Sequence, residues 1–191
     1  MLPWMDVESE ALALLGRGDA AGAADAAVRG YGPAVLGYLR SLLPEDDAHD
    51  VFGQVQEDVL RGLPGFRAEC SLRAWMFRVA WHAIQRHRRD PYRARGERLP
   101  SGAGSILAAE PPPSSAMPGG RRDLLRRLRD ALDPEDRTLL ALRVDRELEW
   151  QEISAVLAAE GVDASSAALR KRFERLKERL ARLAREQGLI A

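Results

Sequence analysis

Two stretches of this chain carry side chains whose types and spacing suit contact with nucleic acid. In "LRAWMFRVAWHAIQRHRR", residues 72–89, Leu72, Trp75, Met76, Val79, Ala80 and Ala83 already complete one apolar helix face. Phe77 and Trp81 therefore fall on the other side, with Arg78, Gln85 and Arg88. Rings interleaved with arginine suit a single strand, because bases stack on the rings while guanidinium groups follow the phosphates. The alternative is that Phe77 and Trp81 pack against another helix of a bundle, and periodicity alone slightly favours it.

The second stretch is "ALRKRFERLKERLARLAREQG", residues 168–188. Leu169, Phe173, Leu176, Leu180 and Leu183 form one row, and eight Arg and Lys stand against two Glu between Arg170 and Arg185. Arg170, Lys171 and Arg175 lie off that row. A lone helix of this kind reads as a solvated face on a core element. Here it follows "EWQEISAVLAAEG" and a turn, which is helix-turn-helix order, with the basic helix placed to enter a major groove.

Other chemistries find little support. His49, His82 and His87 lack metal-ligand spacing, Cys70 has no identifiable base, and no glycine loop of phosphate-binding type occurs. The expectation is a protein that is not an enzyme and holds no metal or cofactor.

The elements that would position these residues are helical throughout, with no convincing strand alternation. Candidate helices run near 6–16, 19–30, 33–43, 46–61 and 71–89, and then near 121–131, 133–146, 149–159 and 165–186. Asp133 before Pro134 is a start signal, and Asp163, Ser165 or Ser166 could cap the last helix. Between the two sets lies "LPSGAGSILAAEPPPSSAMPGG", residues 99–120, whose three consecutive prolines cannot continue a helix. The expected architecture is all-α: two small helical domains, 1–98 and 121–191, joined by a flexible Pro/Gly/Ser-rich linker, the second with the helix-turn-helix.

The 29 basic and 29 acidic groups cancel in sum but are segregated along the chain. Residues 1–58 hold three basic and eleven acidic side chains, whereas residues 61–98 hold ten Arg against Glu69, Asp90 and Glu97. Such blocks suit several partners or one composite partner. The basic groups are 27 Arg and 2 Lys, a skew that suits bidentate phosphate contacts and that a GC-rich genome would also produce. A single cysteine excludes an internal disulfide and fits a reducing compartment. No apolar run approaches the roughly 18 residues of a membrane span, and the acidic N-terminus does not read as a signal peptide, so a cytoplasmic protein without membrane insertion is expected.

Together these stretches resemble the extracytoplasmic-function (ECF) sigma factors of bacterial RNA polymerase, over nearly the whole chain except the linker. "YGPAVLGYLRSLLPEDDAHDVFGQVQEDVLRGL" is similar to the first part of sigma region two, and "GFRAECSLRAWMFRVAWHAIQRHRR" to its promoter-melting part. "LDPEDRTLLALRVDRELEWQEISAVL" and "ALRKRFERLKERL" resemble region four. The resemblance implies that the acidic helix docks on the clamp helices of core RNA polymerase through Asp47, Asp50 and Gln54. It implies that the loop Phe66 to Ser71, with Arg67 and Glu69, holds a base flipped from the minus-ten element. Trp75, Arg78, Trp81, His82, Gln85, Arg86 and Arg88 would then support strand separation, and Ser166, Arg170, Lys171 and Arg175 would read the minus-thirty-five element of promoter DNA.

An anti-sigma factor is a further partner on this reading. The chain departs from the family pattern in several places: Gly53 and Gln54 stand where a Gln-Glu pair is usual in the clamp-binding helix, Gln56 where an apolar residue is, and His82 where an Asn often faces the melted base. The turn before the last helix is also several residues longer than the family's. Two rivals stay open: a helix-turn-helix transcription regulator that never docks on polymerase, and a sigma-like interaction protein that forms no active holoenzyme.

Overall fold

The computed structural model describes residues 3–90, 128–129, 131–158 and 165–186. The chain divides into two compact units, Met1–Glu110 and Pro111–Ala191. The expected linker 99–120, the domain bounds at 98 and 121, most of the expected helix near 121–131, and the turn 159–164 with Asp163 lie outside the described residues. No strand occurs among the described residues.

The first unit is built from α1 (Pro3–Gly16), α2 (Ala20–Leu42), α3 (Glu45–Gly62), a single 3-10 turn (Leu63–Gly65) and α4 (Leu72–Arg89). The α1–α2 turn is short because Gly18 takes φ +80°, which costs glycine little, and Asp19 then caps α2 by accepting from Gly22 N at 2.9 Å. Helix α2 is the hub and packs against α1, α3 and α4.

One sequence expectation is corrected here. The expected break at "GYGP" does not occur, and α2 runs unbroken through Pro33. A proline inside a helix forfeits one hydrogen bond, but Tyr31, Gly32, Val35 and Leu36 around it are all buried, so tertiary packing holds the segment helical. Gly30 serves close approach: a Cβ there would lie 2.3 Å from Val7 Cγ1 of α1.

The core of this unit joins Leu36, Tyr38 and Leu39 of α2, Phe52 of α3, and Leu72, Met76, Phe77 and Ile84 of α4. Tyr38 and Phe77 meet edge to face, with ring centroids 5.5 Å apart at 83°.

The second unit contains α5 (Pro134–Leu140), a π-helical turn (Ala141–Asp145), α6 (Trp150–Leu157) and α7 (Ser166–Glu186). Asp133 caps α5 by accepting from Asp136 N at 2.9 Å, with Pro134 at the first helical position. The expected helix 133–146 widens instead of continuing: Arg146 N donates to Ala141 O at 3.0 Å, an i→i+5 bond. Glu149 and Glu152 form a reciprocal capping box that starts α6. Of the proposed caps for α7, Ser165 serves, accepting from Ala168 N at 3.2 Å. Leu139, Leu142, Leu148, Ile153, Val156, Leu169 and Leu176 make the core.

Candidate nucleic-acid interface

The loop between the 3-10 turn and α4 forms a recess of about 220 Å³ lined by Gly65, Phe66, Arg67, Glu69, Cys70, Trp75 and Arg78. Its apolar wall is Phe66 set edge-on to Trp75, centroids 5.6 Å apart at 63°. Arg67 and Glu69 are exposed, and Ala68 bends the loop with φ 54°, a left-handed conformation uncommon for a residue with a side chain. Water takes about 30 Å³ in the liquid, so the recess has room for several waters or one planar base. Sequence reasoning named Phe66, Arg67, Glu69, Trp75 and Arg78 but not Cys70. Its place between Glu69 and Ser71 was the one available signal.

Ser71 does not line the recess. Its hydroxyl accepts from Ala74 N at 3.1 Å and caps α4. Its part in holding the loop is thus to fix where the helix begins.

The aromatic surface expected on α4 is not there. Phe77 is 0% exposed, Trp81 4% and Trp75 7%. Helix α4 is covered by α1, α2 and α3. A helix with neighbours on several sides buries more than one face, which is why completing a single apolar face did not send Phe77 and Trp81 outward. Their packing reading is the correct one. Among the described residues, Trp81 Nε1 is buried without a hydrogen-bond acceptor.

The polar residues of α4 do reach the surface in part. Arg78, His82 and Gln85 are half-buried at i, i+4 and i+7, a stripe that begins at the recess, and Arg88 is exposed. Arg86 is spent differently, in an ion pair with Asp58 of α3.

On α3, Gln54 is exposed and Asp50 half-buried. Asp47 is turned toward the end of α4, its carboxylate 3.5 Å from His87 Nε2. The same outer side of α3 shows Leu60, 53% exposed, and Glu57 in an ion pair with Arg61 at 2.6 Å. Gly53 has open space where a side chain would stand.

In the second unit, α7 divides its positive charge between two uses. Arg172 Nε donates to Asp136 at 2.6 Å and its Nη1 to Glu135 at 2.6 Å, and Arg179 lies 3.4 Å from Asp136 and 3.5 Å from Asp133. Burial pushes the Asp133 carboxyl up. The backbone and side-chain hydrogen bonds of Asp136 and the charges of Arg172 and Arg179 outweigh it and hold Asp133 below the ordinary carboxylate value. Burial alone would lower the Arg172 guanidinium, but its bonds to Glu135 and Asp136 raise it above its ordinary value. Lys177 pairs with Glu174 at 2.7 Å.

Arg170, Lys171, Arg175, Arg182 and Arg185 have no ion pair among the described residues and share one arc of about 140° on the helix wheel, with Glu174 and Glu178. Arg170 lies over the Trp150 ring, 6.0 Å from its centroid. Ser166 instead faces α6, its hydroxyl donating to Trp150 O at 3.3 Å, so it ties the two helices together.

Among the described residues no cluster of His, Cys, Asp and Glu could hold a metal ion, and no helix is long and apolar enough to cross a membrane. No curated protein matches the sequence. Residues 27–94 match the family model of sigma-70 region 2, a span that takes in most of α2, all of α3, the recess loop and α4. Over that span the chain is similar to a module of transcription initiation factors, and the match supports a sigma-factor-like protein that interacts with RNA polymerase and promoter DNA rather than an enzyme.

Proposed function

We propose that this chain is a sigma factor of the ECF type, which brings core polymerase to selected promoters and helps open them in the cytoplasm. The observation that carries the reading is the recess beside Phe66, Trp75 and Arg78, which lies inside the segment similar to sigma region two. An aromatic wall next to cations suits an unstacked base and its phosphate.

On this reading the outer side of α3, with Asp50 and Gln54, docks on the polymerase clamp. The recess and the stripe Arg78, His82 and Gln85 hold the non-template strand, and Arg67, Glu69 and Arg88 flank it. The second unit acts as region four: Arg170, Lys171 and Arg175 grip duplex DNA at the upstream element while Ser165 and Ser166 fix the start of the reading helix.

The test is co-purification with core polymerase followed by run-off transcription. The wild-type chain should form a holoenzyme that initiates at discrete sites, and Asp50→Arg with Gln54→Ala should abolish holoenzyme formation at unchanged helical content. Equal binding by that variant overturns the docking surface. Duplex binding with no polymerase association favours the helix-turn-helix regulator, and association without initiation favours the sigma-like interaction protein.

A further inference from the structure

We infer that α1, which precedes the segment matched to sigma region two, is a positioning element for the recess loop, and that Glu8 is its positioning residue. The inference rests on the proposed role of that loop in holding a base.

Helix α1 meets the loop at both ends. At the loop's end, Glu8 Oε1 accepts from Leu72 N at 3.0 Å, a contact between residues 64 apart in sequence. Leu72 is the first residue of α4, and its amide is one of the donors that no turn of the helix can satisfy. Ser71 takes Ala74 N, so Glu8 and Ser71 together serve two of the orphan amides where the loop becomes helix. A carboxylate is also the charge that a helix N-terminus favours. At the loop's beginning, Leu15 and Gly16 from the end of α1 line a second recess with Gly18, Leu63, Pro64 and Phe66, of about 400 Å³. Phe66 thus stands between this recess and the one beside Trp75, and the α1–α2 turn borders its far side.

The chemistry at Glu8 is selective. Its side chain is half-buried and no ion pair with it occurs among the described residues, so its one hydrogen bond to the loop's end is the contact that changes when it is replaced. Gln keeps an acceptor oxygen at the same reach; Ala removes it. The loop's geometry depends on that acceptor, because an unanchored Leu72 amide lets the first turn of α4 fray and carries Cys70 and Glu69 away from Trp75.

The experiment compares full-length wild type, Glu8→Ala and Glu8→Gln by two measurements. The first is amide hydrogen exchange. Glu8→Ala should speed exchange across 66–72 about tenfold while 76–86 stays protected, and Glu8→Gln should remain near wild type. The second is fluorescence anisotropy with a labelled single-stranded DNA pool selected on the wild-type protein, for which Glu8→Ala should weaken binding about tenfold and Glu8→Gln should largely restore it. Unchanged exchange in Glu8→Ala overturns the inference, as does Glu8→Gln behaving like Glu8→Ala. If Glu8→Ala unfolds globally, exchange in Glu8→Gln at the Glu8→Ala rate overturns it and wild-type protection supports it. Faster exchange with unchanged pool binding also overturns the positioning role. A wild-type protein that selects no single strand sinks the base-holding reading instead, while the exchange data still decide the anchor.

Discussion

The two units treat their ring and arginine side chains in opposite ways. In the first, α4 sends Phe77 and Trp81 into the core, and a small concave site lies at its start, where Phe66 and Trp75 form a wall and Arg67 and Arg78 flank it. In the second, α7 shows a convex arc of cations opposite a leucine row of which Leu169 and Leu176 are buried. A concave aromatic site adds stacking and shape to the phosphate contacts of its flanking arginines, whereas a convex basic arc without rings binds through counterion release. On the proposed reading, one chain holds one surface for a single base and another for a duplex.

The sharpest way to break this contrast is at Trp81. Because it is buried against the bundle, Trp81→Ala should destabilise the first unit by about 3–5 kcal/mol, seen as a large fall in its thermal or urea midpoint. A variant of unchanged stability that fails to open promoters would return Trp81 to the DNA-contacting face.

The next effect lies on the arc. Arg170, Lys171 and Arg175 are exposed, so replacing all three with Ala should leave the melting temperature unchanged. The slope of log duplex affinity against log salt should shrink by roughly 0.9 for each phosphate that is no longer neutralised. Docking on polymerase through α3 should survive. An unchanged slope would make the arc a solvated surface.

The smallest effect sharpens the difference between paired and unpaired arginines on one helix. Arg172→Ala removes a shared partner of Asp133, Glu135 and Asp136, and should cost about 1–3 kcal/mol. That figure is below the value for a fully buried pair because the Arg172 side chain is 29% exposed. Asp133 has a lowered folded pKa, so its contribution to stability is fully present above the ordinary carboxylate pKa and is lost as pH falls through the lowered one. The midpoint of the second unit should therefore drop on acidification below about pH 4, and Arg172→Ala should flatten that dependence. A pH profile identical in both proteins would remove the cluster as the cause.

Much of the architecture was legible from local signals. The 3.6-residue spacing located α3, α4, α6 and α7 to within a residue or two, because burial of a helix face leaves that period in the sequence even where, as in α4, further faces are buried too. Asp133 with Pro134 marked the start of α5, since capping depends only on adjacent residues. The loop from Phe66 to Ser71 was singled out only through the resemblance to sigma region two, because no local spacing marks its residues.

What local pattern could not decide was set by contacts between distant segments. Whether α2 breaks at Pro33 depended on packing around it, and whether Phe77 and Trp81 face solvent depended on how many helices cover α4. The sequence alone determined that α7 holds eight cations on an amphipathic helix. Only the tertiary structure decided that Arg172 and Arg179 are drawn to the acids of Asp133 and α5 while Arg170, Lys171 and Arg175 stay outside. The same holds for Glu8, whose amide partner lies 64 residues away. A helix's period is written in neighbouring residues, but the partner of a charge or an amide is fixed by chain segments that meet only when the bundle closes.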